Sequence, residues 1–121
     1  AKKTGKKNIL VWGDGSPSRD FLYVEDAAEA IILAAEKYSK QDPINLGTGE
    51  EVTIKELVDK IQKIMNSNLE IEWETDKPNG QPRRCVSFER AKNEIGFFPK
   101  ISLDEGLRRT INWYKSQIDD V

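Results

Sequence analysis

Two rhythms of apolar and polar residues alternate along this chain. Residues 8–12, NILVW, are a short and largely apolar run that predicts a buried strand. Gly13-Asp14-Gly15-Ser16-Pro17 is dense in turn formers and predicts a loop. Residues 21–24 are apolar and too short to assign, a strand or an extended lead-in. From Val24 the apolar positions 24, 27, 28, 31, 32 and 35 follow helical spacing, so a helix is expected to end near Tyr38. Asp42-Pro43 stops it, because the residue before a proline avoids the helical region. Ile44-Asn45-Leu46 reads as a brief strand closed by Gly47-Thr48-Gly49.

Thr53 and Glu56 have the spacing of a capping box, in which hydroxyl and carboxylate each satisfy a free amide at a helix start. Behind them Ile54, Leu57, Val58, Ile61, Ile64 and Met65 form one apolar stripe. Residues 69–73 alternate, with Leu69, Ile71 and Trp73 on one face and Glu70 and Glu72 on the other, as a half-exposed strand requires. Residues 75–84 hold Pro78, Asn79, Gly80 and Pro82 and predict a loop. A short helix is expected over 87–95, stopped by Gly96. Ser102 and Glu105 offer a second capping box, opening a last helix with Leu103, Leu107, Ile111 and Tyr114 inward. Trp73 and Trp113 fall on periodic apolar faces and read as core. Short strands alternating with about four helices predict a small mixed α/β domain. Residues 1–121 read as one domain, and 1–7 as a truncated helix end or flexible start. The strands are too few for an independent sheet, which suits a subdomain that packs on a larger partner.

Charge and cysteine usage narrow the function classes. A net charge of −2 and a pI near 5.3 argue against nucleic acid as a partner. The basic cluster Lys2, Lys3, Lys6, Lys7 is short and terminal, and reads as a solvated end. Cys85 is the only cysteine, so no internal disulfide can form, which fits a reducing, cytoplasmic setting. No apolar run approaches the ~18 residues needed to span a bilayer, so no membrane partner is expected. The chain starts at Ala1 and reads as a cut inside a longer protein.

The best candidate chemistry lies around the first loop. Arg19 follows Trp12 by seven residues across the glycine turn. A guanidinium matches phosphate geometry with paired donors, and an indole can stack on a base or cover a sugar. The plainer alternatives are an ion pair of Arg19 with Asp20 or Glu25, and a core tryptophan. Lys77, Arg83 and Arg84 lie within eight residues of the second loop and could converge on an anion, or form a solvated basic loop. Gly13-x-Gly15 and Gly47-x-Gly49 lack the third glycine of a dinucleotide loop and read as turns. Asp26 and Glu29 suit the positive end of a helix dipole. Cys85 has no histidine to serve as its base, since the chain contains none. No metal-ligand spacing is present.

The stretches VWGDGSPSRDFLYVEDAAEAI, INLGTGEEVTIKEL, KPNGQPRRCVSFERAKNEIGF and ISLDEGLRRTINWY together resemble the C-terminal, substrate-binding part of the NAD-dependent epimerase/dehydratase family, the extended short-chain dehydrogenases/reductases. The resemblance implies that Trp12 and Arg19 contact a nucleotide-sugar, Arg19 near its diphosphate, with Lys77 and Arg83 facing the ligand from the second loop. It implies that NAD(P) and the catalytic Tyr-x-x-x-Lys pair belong to an N-terminal Rossmann domain of the parent chain. This part would then hold no cofactor, no metal and no catalytic residue, and would be inactive alone. The tryptophan of VWG and the KPNGQPRR loop favour a GDP-sugar, GDP-4-keto-6-deoxymannose. A UDP- or dTDP-sugar enzyme is the alternative, and a non-catalytic binding module is an alternative of another class. Family members are often homodimers. One departure is Ser87, where an aspartate is common in the family; a serine there can still cap a helix.

Overall fold

A computed structural model describes residues 5–119. Over residues 1–4 the expected helix end or flexible start lies outside the described residues, and 5–7 form a turn into the first strand. The elements run β1 (Asn8–Trp12), β2 (Ser18–Arg19), α1 (Val24–Lys37), β3 (Val52–Thr53), α2 (Ile54–Ile64), β4 (Glu70–Glu74), β5 (Arg83–Arg84), α3 (Glu89–Ile95) and α4 (Leu103–Asp119). Among the described residues this is the small mixed α/β architecture with four helices. Contacts divide the chain into two compact units. One joins residues up to Arg19 with Val52–Arg84; the other joins Asp20–Glu51 with the residues from Cys85 onward.

In the first unit β1 and β4 pair in parallel, from Asn8 opposite Glu70 to Trp12 opposite Glu74. Parallel neighbours need a long crossover, and α2 lies within it. β4 alternates as its sequence requires, with Ile71 and Trp73 half-buried and Glu70 and Glu72 exposed. β1 was expected to be buried and is so on one face alone. Ile9 and Val11 are half-buried while Leu10 and Trp12 are exposed, because nothing among the described residues covers their side of the sheet. α2 starts where expected. The Thr53 hydroxyl accepts from the Glu56 amide at 3.1 Å, and the Glu56 carboxylate accepts from the Thr53 amide at 2.8 Å. At its other end Gln62 donates to the Leu69 carbonyl, tying α2 to the entry of β4. Three two-residue strands complete the unit, in the order β3-β2-β5. β5 lies inside the predicted 75–84 loop, because the two arginines pair with Ser18 and Arg19.

The second unit is helical around a core of Ala30, Ala91, Ile95 and Phe97, with Leu22, Leu33, Tyr38, Ile44, Leu46 and Phe88 against it. Phe88 and Phe97 meet edge to face. Residues 20–23 are the extended lead-in into α1, with Tyr23 at its N-cap. Gly96 ends α3 in the left-handed conformation, φ +71°, as a glycine there should. α3 itself begins at Glu89, two residues later than the sequence suggested, although the Ser87 hydroxyl does accept from the Glu89 amide.

Several expectations are corrected. Residues 44–46 form no strand: Ile44 and Leu46 still pack on the core, but no partner strand lies beside them for a ladder. Trp113 and Tyr114 are not core residues, being 60% and 59% exposed. Every residue from 112 to 117 is exposed, so of the four apolar residues expected to face inward Leu103, Leu107 and Ile111 are half-buried and Tyr114 is not. The capping box of Ser102 and Glu105 is half made. The Ser102 hydroxyl accepts from the Glu105 amide, but the Glu105 carboxylate turns to Arg108 and Arg109.

Candidate functional site

The turn between β1 and β2 is held from both sides. Gly13 N–H donates to the Glu74 carbonyl at 2.9 Å, continuing the β1–β4 ladder past its end. The first amides of α2 hold the far side: Ile54 N–H donates to the Pro17 carbonyl and Lys55 N–H to the Gly15 carbonyl. With Glu56 N–H taken by Thr53, the free N-terminal amides of α2 are spent on the turn rather than left for an anion. Asp14 closes the turn itself by accepting from Ser16 N–H at 2.8 Å. Its hydrogen bonds to Ser16, hydroxyl first and then amide, hold the Asp14 carboxyl below its ordinary value, and the Asn79 amide adds to this. Gly13, Gly15 and Pro17 are buried.

This rigid turn separates the two leading candidates. Trp12 is 66% exposed at the end of β1 and is no part of this chain's own core. Arg19 is half-buried in β2 and donates to the Ser18 carbonyl at 2.6 Å. The carboxylates that might have paired with it are engaged elsewhere. Asp20 accepts from the Thr48 amide and hydroxyl and the Gly49 amide, and Glu25 pairs with Arg109.

The second loop folds onto the same turn. The Asn79 side-chain carbonyl accepts from Asp14 N–H at 2.8 Å. Gly80 lies beside the guanidinium of Arg19: a Cβ there would stand 3.8 Å from Nη2. Pro82 accepts from Ser18 N–H at 3.0 Å. The parallel register then sets Arg83 opposite Ser18 and Arg84 opposite Arg19. Registered residues of parallel strands share a face, so Arg84 stands next to Arg19 more directly than Arg83 does. Like charges directly opposite repel, and an anion between them removes that cost. Lys77 is half-buried and its ammonium sits 3.3 Å from Asp76. The structure therefore gathers the loop backbone, Arg19 and Arg84, with Trp12 leading into the same turn.

Sequence reasoning missed Asn79 and the amides of α2. The Pro-Asn-Gly triplet signalled a turn, and nothing in it told what the asparagine would bond. The remaining candidates have structural work. Asp26 is 2% exposed and accepts from the amides of Lys100 and Ile101, anchoring that segment on α1. Glu29 pairs with Lys100. Among the described residues no group of histidine, cysteine, aspartate and glutamate could hold a metal, and no helix is long and apolar enough to cross a membrane.

A family model described as GDP-mannose 4,6 dehydratase matches residues 1–110. GDP-L-fucose synthase 1 from Arabidopsis thaliana is 36% identical over 118 residues, 98% of this chain and 36% of its own. UDP-glucose 4-epimerase from Thermotoga maritima, whose crystal structure contains UDP-glucose, superposes with a TM-score of 0.85 at 29% identity, over 92% of this chain and 36% of that one. dTDP-glucose 4,6-dehydratase from Bacillus anthracis, in complex with NAD, gives a TM-score of 0.85 at 29% identity over 95% of this chain and 36% of that one. The chain thus spans about 36% of the length of these relatives.

Proposed function

Because the chain belongs to the NAD-dependent epimerase/dehydratase family, within which it is most like the GDP-L-fucose synthases, we propose that it is the nucleotide-sugar-binding part of such an enzyme. Its work is to hold GDP-4-keto-6-deoxymannose by the nucleotide and diphosphate while another region of the parent performs hydride and proton transfer. The observation that carries this reading is the turn at 13–17, fixed by backbone bonds on both flanks between an exposed Trp12 and an Arg19 that Arg84 faces. A preorganised arginine pair beside an aromatic suits a diphosphate next to a ring. Fixing the ligand in this way supplies orientation, which can account for a large share of a rate enhancement.

The residues present do not fit NAD(P). β1 runs into a turn and not into a helix, and the N-terminal amides of α2 are occupied by the turn carbonyls and the capping box. In this reading NAD(P) is held by the N-terminal Rossmann domain that the family resemblance implies. Exposed apolar surface supports that partner. α1 has two apolar faces: Ala30, Leu33 and Ala34 turn to the core, while Val24, Ala28, Ile31, Ile32 and Ala35 are exposed. A helix apolar on both sides is one that is covered on both sides.

Two measurements on the 121-residue chain test the reading. Titration with GDP, followed by NMR, is expected to shift the Trp12 indole and the Arg19 guanidinium resonances. UDP at equal concentration is expected to shift them less; a preference for UDP would favour a UDP-sugar enzyme. With GDP-4-keto-6-deoxymannose and NADPH the chain alone is expected to give no product, and turnover would contradict the division of labour.

A further inference from the structure

The loop over 75–82 carries Lys77 and leads into Arg83 and Arg84, yet residues 78–82 are all exposed, so burial does little to hold them. Backbone bonds fix its ends, Lys77 N–H to the Glu74 carbonyl and Ser18 N–H to the Pro82 carbonyl. Between them stands Asn79. Its carbonyl oxygen sits in the space that a side chain at position 13 would fill: a Cβ on Gly13 would lie 2.0 Å from Asn79 Oδ1. From that notch it accepts the Asp14 amide at 2.8 Å, a bond spanning 65 residues of sequence. Gly13 also has φ +83°, which other residues rarely adopt, so the notch is built into the backbone.

We infer that Asn79 is a positioning residue, which locks the 75–82 loop onto the Gly13–Asp14 turn and so fixes where Lys77, Arg83 and Arg84 stand relative to Trp12 and Arg19. This role rests on the nucleotide reading and deepens it. Asn79 acts through the Asp14 amide and not on the ligand itself. A mere turn former at position 79 would tolerate any small polar or flexible residue; a lock requires an acceptor that reaches the notch and an empty Cβ position opposite.

The test uses the full chain, GDP as the probe, calorimetry for affinity and amide hydrogen exchange for the lock. Asn79→Ala is expected to speed exchange of the Asp14 amide roughly fivefold, the loss of one ordinary hydrogen bond. It is expected to weaken GDP binding by a similar factor while the melting temperature stays close to that of the unaltered chain. Gly13→Ala evicts Asn79 and is expected to weaken binding likewise. In the Asn79→Ala background the same change is expected to cost less affinity than in the unaltered chain, because only the strain of a side chain at φ +83° remains and no lock is left to evict. If Gly13→Ala fails to fold, Asn79→Ala alone decides. Unchanged Asp14 exchange or unchanged GDP affinity in Asn79→Ala would overturn the role. Failure of the unaltered chain to bind GDP would instead overturn the nucleotide reading, and this role with it.

Discussion

Glycine at position 15 is dictated twice over. Its φ of +77° lies in the left-handed region, and an added Cβ would stand 2.6 Å from the Trp73 ring. Gly15→Ala is therefore expected to destabilise the chain by roughly 2–3 kcal/mol, strain and overpacking together, as read by urea denaturation. A loss under ~0.5 kcal/mol would mean that Trp73 does not underlie the turn. At this scale the sequence was legible where conformation is local. Gly13, Gly15 and Gly96 read correctly as turn or cap from residue type alone. The tryptophans were not legible. Trp12 and Trp113 both lie on apolar runs, and only the surrounding chain decides that each is exposed while Trp73 is half-buried. The bond from Asn79 to Asp14 was equally hidden, since it joins residues 65 apart.

Helix α2 was the element most fully written in its sequence, because a capping box and an amphipathic stripe are both short-range patterns. Thr53→Ala is expected to cost about 1 kcal/mol, as the loss of an N-cap does, measured by thermal or urea unfolding. Acid adds a second check. The Thr53 amide and then its hydroxyl hold the Glu56 carboxyl below its ordinary value; Arg109 and then Arg108 do the same for Glu105, and Ser16 for Asp14. A depressed carboxyl binds its proton more weakly in the folded chain than in the unfolded one. Stability from these groups is thus present above the ordinary carboxylate range, and is lost as pH falls through the lowered values, below about pH 4. Urea midpoints measured from pH 7 downward are expected to fall in that window, and a flat profile would contradict the assignment. Residues 44–46 show the converse: three residues of apolar pattern could not tell a strand from an extended segment that packs without pairing.

At the scale of the whole molecule, apolar surface is the informative quantity. Leu10 and Trp12 lie on the bare face of a two-stranded parallel sheet, a sheet type usually covered on both faces. Val24, Ile31 and Ile32 mark the uncovered face of α1, and Trp113 and Tyr114 that of α4. The helical spacing in 24–35 gave the helix correctly, but most of its apolar stripe turned out to face away from this chain's own core. On the proposed reading the second apolar face of α1 is one that the rest of a longer enzyme covers. Ile32→Glu is accordingly expected to leave the stability of the chain within about 0.5 kcal/mol, as for an exposed site. The same change is expected to abolish co-purification with the separately produced N-terminal part of the parent; retention of that association would place the interface elsewhere.

The proposed function turns on Arg19 gripping the diphosphate of an activated sugar. Calorimetry of GDP and of guanosine with the unaltered chain and with Arg19→Ala tests it most directly. The substitution is expected to weaken GDP binding roughly tenfold or more, the scale of a charge-assisted bond, and to leave the weak binding of guanosine unchanged. Equal GDP affinity in both chains, or an equal loss for GDP and guanosine, would contradict it.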